Sequence, residues 1–472
     1  MKKYILIILC CLTSFPLWSY NVNMIVEHYS VDQGLPNNTV NCTLKDRDGF
    51  IWFGTWYGLC CFDGVKFKTF NKQEHDSDVP PRKIQRIVED KNGYIWVKTI
   101  DRKLYVFNKV TECFHAVYDD MKNYSENIQV IKLQNTAEGD VLLLTKDKNL
   151  LLAGVDEKGQ VTIKILFDSR NEINKHDYTL KHHVLCETEE YISWIGTDYK
   201  VAAVHKGSEL ASRPADFITS KINSGDKDSF TSFFEDGRKV WVGDRAGIFY
   251  SIDVRTGLVN RYVLSEIKGA ISNLLVTPAG YVYLSVAGQG TYEYDLAERR
   301  LQKINTEMND AMVTHAFIDQ YDKIWFHENE KALIYYDPLN HTAKRFPFTM
   351  FGKITTLYSE DAGERGLFFL SPAGEAWLFD REHAEMVYIN KLKQLSNDRT
   401  NQQFYHLMLD NDGVLWLSSA DEGVYCMNFP KKQFNLLSLS PQSAGQENYA
   451  TGVRALFQSK SGDIWVGTRW QS

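Results

Sequence analysis

The stretch DRDGFIWFGTWYGLCCFDG, residues 46–64, decides the fold because it recurs along the chain. Close copies are DKNGYIWVKT from residue 90, DQYDKIWFHE from 319, DNDGVLWLSS from 410 and SKSGDIWVGT from 459. Looser copies begin at residues 189 and 235. Each copy combines a polar turn with a short apolar run that surrounds a tryptophan. A recurring unit of this kind indicates a repeat architecture.

The spacing of the tryptophans defines the repeat. They occupy positions 52, 96, 194, 241, 325, 416 and 465, so each interval is one or two multiples of a period near 46. The doubled intervals predict degenerate copies, and EGDVLLLT, PAGYVYLS and ERGLFFLS place Leu142, Tyr283 and Phe368 in the tryptophan position. Ten units result. A period of roughly 40 to 50 residues is typical of propeller blades or of helical solenoid units.

The content of one unit favours the propeller. In the first unit, apolar segments at 40–44, 50–54, 59–62 and 67–70 are separated by turns rich in Gly, Asn and Asp. Short segments of this composition are strand and hairpin signals. Four antiparallel strands per unit are the content of a propeller blade. The sequence therefore predicts an all-β fold, a β-propeller with four-stranded blades.

The recurring tryptophan and the Asp-Gly turn are predicted to be structural. Because Leu, Tyr or Phe replaces the tryptophan in three units, packing between sheets explains that position better than reactivity. The turns resemble the start of a calcium loop, but they lack its remaining oxygen ligands and its distal glutamate. We therefore expect hairpin turns, no bound metal and no cofactor.

Composition and the N-terminus limit the classes of function. The chain has 472 residues, 44% apolar residues, a net charge of −7 and no run of Lys or Arg, so we expect no nucleic acid partner. Lys2 and Lys3 precede an apolar run at 4–18, which predicts a signal peptide over residues 1–20 and an exported protein. An uncleaved anchor is the alternative. The scattered cysteines are predicted to be buried free thiols.

Two sets of positions are candidates for ligand binding. Loops between the second and third strands share one end of a propeller with the connections between blades, and varied loops on a rigid scaffold commonly bind ligands. The loop candidates are Trp56, Tyr57, Tyr199 and Arg245. Near the start of each unit, the innermost strand carries a polar side chain four residues before the turn. These candidates are Arg86, Lys132, Asn273 and His315, and Cys42, Val184, Tyr358 and His406 hold the same position. A hydrated channel is the alternative interpretation.

Catalytic motifs are not found in the sequence. It contains no H-E-x-x-H, G-x-S-x-G or G-x-x-x-x-G-K-[ST], and no pair of carboxylates can be singled out. We therefore expect that the chain is not an enzyme. A protein-interaction scaffold and a propeller lyase or hydrolase are the alternatives to a binding region.

Two parts of the chain resemble a known family. Residues 34–70, GLPNNTVNCTLKDRDGFIWFGTWYGLCCFDGVKFKTF, resemble the opening blade of the two-component regulator propeller repeats in hybrid two-component sensors of Bacteroides-type bacteria. The stretches GVYCMNFPKKQF, 423–434, and VRALFQSKSGDIWVGT, 453–468, are similar to blade junctions of that family. The resemblance extends from about residue 26 to the end of the sequence.

This resemblance implies a domain plan and a role. In that family, two seven-bladed propellers and a β-sandwich form a periplasmic sensor, commonly a dimer, that binds an oligosaccharide. A membrane helix then leads to a cytoplasmic histidine kinase that controls glycan-utilisation genes. The resemblance implies a first propeller of about seven blades over 22–350 and about two and a half blades of a second over 351–472. The kinase would lie beyond residue 472, so the sequence is expected to be truncated.

Further expectations concern the partners and the closure of the ring. The resemblance implies an oligosaccharide ligand, a homodimer, and contact with the membrane only through the signal segment or a missing C-terminal helix. The strand at 25–30 is expected to close a ring by completing its last blade. Unit seven already has a fourth strand at 344–348, so the partner is either that unit or a later one.

Overall fold

The structure is a computed structural model that forms two compact units, Met1–Asn428 and Phe429–Ser472. It describes residues 25–70, 80–122, 124, 128–169, 180–188, 190–196, 201–207, 230–304, 313–328, 331–348, 358–363, 366–371, 375–389, 404–428, 453–459 and 464–468. The predicted signal peptide at 1–20 lies outside these residues. Within them, the helical segments are the 3-10 turn Val31–Gln33 and the four-residue helix α1, Tyr118–Met121. The all-β prediction is confirmed.

The first unit begins with strand β1, Ile25–Tyr29, and continues through sheets of antiparallel strands in chain order. The first sheet contains β2 (Val40–Lys45), β3 (Ile51–Thr55), β4 (Gly58–Phe62) and β5 (Phe67–Phe70). The second sheet contains β6 (Ile84–Glu89), β7 (Ile95–Thr99), β8 (Leu104–Asn108) and β9 (Cys113–Ala116). The third sheet contains β10 (Val130–Asn135), β11 (Val141–Thr145), β12 (Leu150–Val155) and β13 (Val161–Phe167).

The fourth to sixth sheets repeat this order. The described part of the fourth sheet contains β14 (Leu180–Glu187), β15 (Tyr191–Gly196) and β16 (Val201–His205). The fifth sheet contains β17 (Phe230–Glu235), β18 (Lys239–Asp244), β19 (Ile248–Asp253) and β20 (Val259–Val263). The sixth sheet contains β21 (Ile271–Val276), β22 (Tyr281–Val286), β23 (Gly290–Asp295) and β24 (Arg300–Lys303).

Three more sheets complete the first unit. The seventh sheet contains β25 (Val313–Ile318), β26 (Ile324–Glu328), β27 (Ala332–Asp337) and β28 (Thr342–Pro347). The eighth sheet contains β29 (Tyr358–Asp361), β30 (Leu367–Leu370), β31 (Ala376–Asp380) and β32 (Glu385–Ile389). The ninth sheet contains β33 (Phe404–Leu409), β34 (Leu415–Ser419) and β35 (Val424–Asn428), followed by β1. The second unit has one described hairpin, β36 (Val453–Gln458) and β37 (Ile464–Thr468).

Contacts between sheets close the first unit into a ring. Hydrophobic clusters join each sheet to the next from the first to the eighth. The eighth sheet contacts the ninth through β29 and β33, and a cluster that includes Phe53 and Trp416 joins the ninth sheet to the first. Contacts between first strands, such as β2 with β6 and β17 with β21, place these strands on the inside of the ring. This arrangement is a β-propeller.

Strand β1 closes the ring in the ninth sheet. It pairs antiparallel with β35, from Ile25 opposite Asn428 to Tyr29 opposite Val424. The Tyr29 ring packs against Phe62, Phe67 and Trp416. The seventh sheet needs no such strand because β28 is its fourth strand.

The predicted division at residue 350 differs from the structure. The described sheets of the first unit number nine rather than seven, and this unit extends to Asn428. The physical reason is the open edge of β35, which β1 pairs with instead of an edge in the seventh sheet. The interpretation of the later segment as the start of a second propeller stays a prediction for 429–472.

In five of the sheets, one aspartate joins the first turn to the tryptophan. In the first sheet, Asp46 Oδ1 accepts hydrogen bonds from the backbone N–H groups of Asp48 and Phe50, at 3.0 and 2.9 Å. Its Oδ2 accepts a hydrogen bond from Trp52 Nε1 at 2.8 Å. The same indole bond is present in four other sheets, between the pairs Asp90 and Trp96, Asp236 and Trp241, Asp319 and Trp325, and Asp410 and Trp416.

In the degenerate units, both the aspartate and the tryptophan of this pair are replaced. Leu142 and Tyr283 occur with Thr136 and Thr277 in the aspartate position, and Phe368 occurs with Ala362. The hydroxyls of Thr136 and Thr277 still accept a backbone N–H in the turn, but neither residue reaches an indole. The fourth sheet departs from this rule, because Trp194 follows Thr188. An aspartate therefore occurs at this turn position mainly in units whose tryptophan donates a hydrogen bond to its carboxylate.

Gly54 leaves room for the next sheet, and Gly54→Ala is expected to cost about 1 to 3 kcal/mol in the free energy of unfolding. A Cβ there would lie 2.5 Å from Cys42 Sγ and from Ile84 Cγ2. Gly154, also in a strand, is the matched control, because its Cβ would meet nothing closer than Asp140 Oδ1 at 3.6 Å. Urea denaturation of both variants measures the difference. Equal losses would contradict the steric argument.

Candidate ligand-binding face

The inner strands share an irregularity that positions their polar residues. The register with the second strand skips one residue between Ile84 and Arg86, between Val130 and Lys132, between Ile271 and Asn273, and between Val313 and His315. Such β-bulges redirect the side chains beside them. The predicted polar set therefore follows a bulge in each of these strands, a feature that the sequence pattern did not reveal.

These four inner candidates lie in two separate sectors of the ring. Arg86 and Lys132 belong to the neighbouring second and third sheets, and Asn273 and His315 belong to the sixth and seventh. Arg86 and His315 are exposed, whereas Lys132 and Asn273 are half-buried. The structure therefore places Arg86 and Lys132 on neighbouring inner strands, and likewise Asn273 and His315, but it does not join all four in one site.

The described loop candidates extend both of these sectors. Trp56 and Tyr57, between β3 and β4, are 41% and 64% exposed, and Lys83 Nζ lies 5.2 Å from the centre of the Trp56 ring. Arg245 is exposed between β18 and β19 in the fifth sheet. Tyr199 lies outside the described residues. Trp56 and Tyr57 therefore belong with the first sector, and Arg245 with the second.

Backbone hydrogen bonds connect the loops of the first three sheets. Lys83 N–H donates to Trp56 O at 2.9 Å, and Ile100 N–H donates to Lys83 O at 2.9 Å. Val130 N–H in turn donates to Arg102 O at 2.9 Å. The second-to-third loops and the connections between sheets therefore form one continuous surface, at the end of the ring that the strand directions predicted.

A cavity of about 510 Å³ opens on this surface beside α1. Leu104, Val117 and Met121 are buried in its apolar wall. Its exposed polar lining includes Asp101, Arg102, Lys103 and Tyr118. Apolar walls with a few convergent polar groups are typical of small-molecule sites. This loop was not among the predicted binding loops. Residues 100 and 101 nevertheless follow Trp96 at the same spacing as Trp56 and Tyr57 follow Trp52.

Positively charged side chains face each other on β6 and β7, the two inner strands of the second sheet. The pKa of the Lys98 ammonium is lowered by burial and by the nearby Arg102 and Arg86 guanidinium groups. The pKa of His406, in the ninth sheet on the other side of the first sheet, falls to about 4 through burial and the charge of Arg86. His406 is therefore neutral near pH 7, and its buried Nδ1 has no hydrogen-bond partner within the described part of the chain.

The opposite end of the ring has ion clusters that join sheets. Lys109 Nζ lies 3.1, 2.6 and 2.8 Å from carboxylate oxygens of Asp46, Asp48 and Glu89. Burial alone would lower the pKa of Lys109, but its bonds to these carboxylates raise it, and its bond to Asp48 lowers the pKa of that group. The three acids lie close enough together to suggest a metal site. The Lys109 ammonium instead compensates their charge.

Two other sheets repeat this cluster. Lys206 and Arg381, like Lys109, directly follow the third strand of a sheet. Lys206 bonds Glu138 of the preceding sheet and Glu187 of its own, and Arg381 bonds Asp319 and Asp361 in the same way. These cations connect neighbouring sheets and need no ligand to explain them.

Asp101 is the only carboxylic acid among the described residues that line the cavity, whereas glycoside hydrolysis uses a pair.

None of the helices in the described residues is long and apolar enough to cross a membrane.

Comparisons with known proteins place the opening repeat in a family. The family described as "Two component regulator propeller" matches residues 34–57. No curated protein matches the sequence.

Solved propellers overlap with the chain at low similarity. The extracellular domain assigned to the hybrid two component system BT3049 from B. thetaiotaomicron is 15% identical, with a TM-score of 0.34, over 94% of this chain and 64% of that one. The corresponding BT4673 domain is 14% identical, with a TM-score of 0.34, over 88% and 66%. BamB from Moraxella catarrhalis is 13% identical, with a TM-score of 0.39, over 88% and 100%.

The chain thus spans slightly less than two thirds of the length of the two B. thetaiotaomicron domains. The family match is independent of these overlaps, and it includes the turn at Asp46, Trp52 and the exposed Trp56 and Tyr57. Residues 34–57 of this chain match the two component regulator propeller family, in agreement with the resemblance of the opening blade.

Proposed function

We propose that this chain is the ligand-sensing region, outside the cytoplasm, of a hybrid two-component system, and that its ligand is an oligosaccharide. The observation that carries the proposal is the position of Trp56 and Tyr57. Both are exposed, both belong to the matched family repeat, and their loop is hydrogen-bonded through Lys83 to the loop that lines the 510 Å³ cavity.

The chemistry of this surface supports a sugar ligand. Exposed aromatic rings can stack on the apolar faces of pyranose rings, and guanidinium groups form paired hydrogen bonds with oxygen acceptors. Trp56, Tyr57 and Tyr118 supply rings, and Arg102 supplies the donors. A cavity of this volume fits part of an oligosaccharide, and the rest would extend along the loops towards Trp56.

The remaining features of this role are also proposals. Export through the segment at 1–20 would place the surface in the periplasm, where polysaccharide breakdown products are available. Occupancy would be transmitted through a homodimer and a membrane helix to a histidine kinase that controls glycan-utilisation genes.

Calorimetry against a panel of oligosaccharides from digested polysaccharides tests the proposal. We expect at least one binder, and Trp56→Ala should weaken its binding by about three- to tenfold through loss of ring stacking. Tyr388→Ala is the control, because Tyr388 is similarly exposed, at 44%, but lies in outer strand β32. Absence of binding by folded protein across the panel would contradict the proposal, as would equal effects of the two variants.

A further inference from the structure

Two cations lie directly opposite each other in the second sheet. Arg86 of β6 pairs in register with Lys98 of β7, so their side chains leave the same face of the sheet. Like charges in directly opposed positions destabilise a sheet. Lys98 is only 7% exposed, so water screens this repulsion poorly. The arrangement is unfavourable for the unliganded fold.

The chain does not compensate this charge as it does elsewhere. Lys98 Nζ donates one hydrogen bond, to Ile131 O of the third sheet at 2.5 Å, although an ammonium has three donors. Within the described part of the chain, no acidic side chain forms an ion pair with Lys98 or Arg86. The partly buried cations Lys109, Lys206 and Arg381 each bond at least two carboxylates.

A third cation connects this pair to the cavity. Arg102 lines the 510 Å³ cavity from the loop between β7 and β8. Strand β10 joins Arg102 to the pair, because Val130 N–H donates to Arg102 O at 2.9 Å and Lys98 Nζ donates to the carbonyl of the next residue, Ile131, at 2.5 Å. An anion beside these groups would meet donors from all three.

We infer that Arg86, Lys98 and Arg102 form a binding site for an oxyanion, and that the sensed oligosaccharide carries a carboxylate or sulfate group that occupies it. The identity of the ligand as a sugar rests on the proposed function, whereas the oxyanion site rests on the charges and register of the second sheet. Charge-assisted and paired hydrogen bonds from guanidinium groups favour these oxyanions.

Inorganic sulfate tests the site without any sugar. Melting temperatures are measured in sodium sulfate and in sodium chloride at equal ionic strength for the wild type, Arg86→Gln, Lys98→Met and the control Arg300→Gln, whose arginine is exposed in outer strand β24. We expect sulfate to raise the melting temperature of the wild type and of Arg300→Gln more than that of the other two variants. An equal sulfate effect in all four proteins overturns the inference, because it shows only a general salt effect.

The behaviour of Lys98→Met in chloride adds a second readout. If Lys98 is retained for a ligand, removal of its charge should raise the melting temperature of the unliganded protein, because burial and repulsion no longer oppose folding. A lower melting temperature combined with an unchanged sulfate effect would mean a structural role for Lys98 and would overturn the inference. Arg86→Gln, at an exposed position, keeps the test valid if Lys98→Met fails to fold.

Sugars distinguish failure of the site from failure of the proposed function. Calorimetry compares uronate-containing or sulfated oligosaccharides with neutral ones of the same length. We expect the acidic sugars to bind at least tenfold more tightly, and Arg86→Gln to remove most of that preference. Equal binding of neutral sugars overturns the inference and leaves the proposed function intact. A sulfate effect without any sugar binding supports the site and contradicts the oligosaccharide proposal.

Discussion

Asp90→Ala is expected to lower the free energy of unfolding by about 3 kcal/mol or more. Asp90 is fully buried, and its Oδ1 accepts the backbone N–H groups of Asn92 and Tyr94. Its Oδ2 accepts Trp96 Nε1 at 2.9 Å and Val155 N–H of the next sheet at 3.2 Å. The substitution leaves two buried donors without a partner and separates the turn from the tryptophan. Urea denaturation followed by tryptophan fluorescence measures the loss.

Asp63→Ala is the matched control for this loss. Asp63 Oδ1 also accepts two backbone N–H groups of a turn, from Val65 and Lys66 at 2.9 and 2.8 Å, but the residue is exposed and binds no indole. We expect Asp63→Ala to cost clearly less than Asp90→Ala, because water replaces an exposed turn bond. Similar losses in both variants would show that the turn, rather than the bond to the tryptophan, carries the stability.

A double variant tests whether Asp90 and Trp96 act as a pair. Asp90→Thr with Trp96→Tyr reproduces the residues that the sixth sheet has at Thr277 and Tyr283. We expect its cost to be smaller than the sum of the single costs by about 1 kcal/mol or more, because residues in contact are not additive. Additive costs would mean that the joint replacement seen in the degenerate units has no energetic basis.

Glu27→Cys is expected to form a disulfide with Cys426 and to raise the melting temperature by several degrees. Glu27 lies directly opposite Cys426 in the pairing of β1 with β35. Opposed residues in antiparallel strands have Cα separations of roughly 4.5 to 5.5 Å, which a disulfide can bridge. A bond that closes a loop of this length contributes about 4 kcal/mol or more in the chain-entropy model. Non-reducing electrophoresis and thermal denaturation follow its formation.

The reactivity of the thiols sets the conditions of this experiment. In the wild type, burial and then the charges of Glu27 and Asp410 raise the pKa of Cys426 to about 12. Burial and Asp410 remain in Glu27→Cys, so the exposed thiol introduced at position 27 must supply the thiolate. A mild oxidant near pH 8 favours that direction of attack. The cysteines with described side chains are all free thiols in the structure, so reduced wild type is a suitable reference.

Val26→Cys is the control for strand register. Val26 lies opposite Met427, so its side chain leaves the other face of the strand and cannot reach Cys426. A disulfide in Glu27→Cys but not in Val26→Cys supports closure in the ninth sheet. If neither variant forms one, β1 pairs elsewhere, and the division near residue 350 that the resemblance implied would be favoured instead.

Much of each sheet followed from the sequence because strand signals are local. The segments expected at 40–44, 50–54, 59–62 and 67–70 agree within one residue with β2 to β5. Leu142, Tyr283 and Phe368, placed in the tryptophan position by spacing alone, are all buried in second strands. Alternating apolar side chains and turn residues determine these features without reference to the rest of the chain.

The candidate site was less predictable because it depends on contacts between sheets. Arg86 was predicted from its position in the repeat. Its pairing with Lys98 depends on a β-bulge between Ile84 and Arg86, and no residue type in the sequence indicates that bulge. The cavity combines the 101–105 loop with α1, which lies in an irregular connection between two sheets. The hydrogen bond from Trp96 to Asp90 was not predicted. Packing already explained the tryptophan, and the hairpin turn already explained the aspartate.

By itself, the sequence determined that this protein is built from four-stranded antiparallel sheets at a period near 46, with buried second strands and polar turns. That information lies within each unit, where hydrophobic alternation and turn chemistry act over a few residues. The tertiary structure alone decided how many sheets form the ring and which cations share a surface. Both depend on pairings distant in sequence, such as β1 with β35, whose partners are chosen by open edges and by packing between sheets.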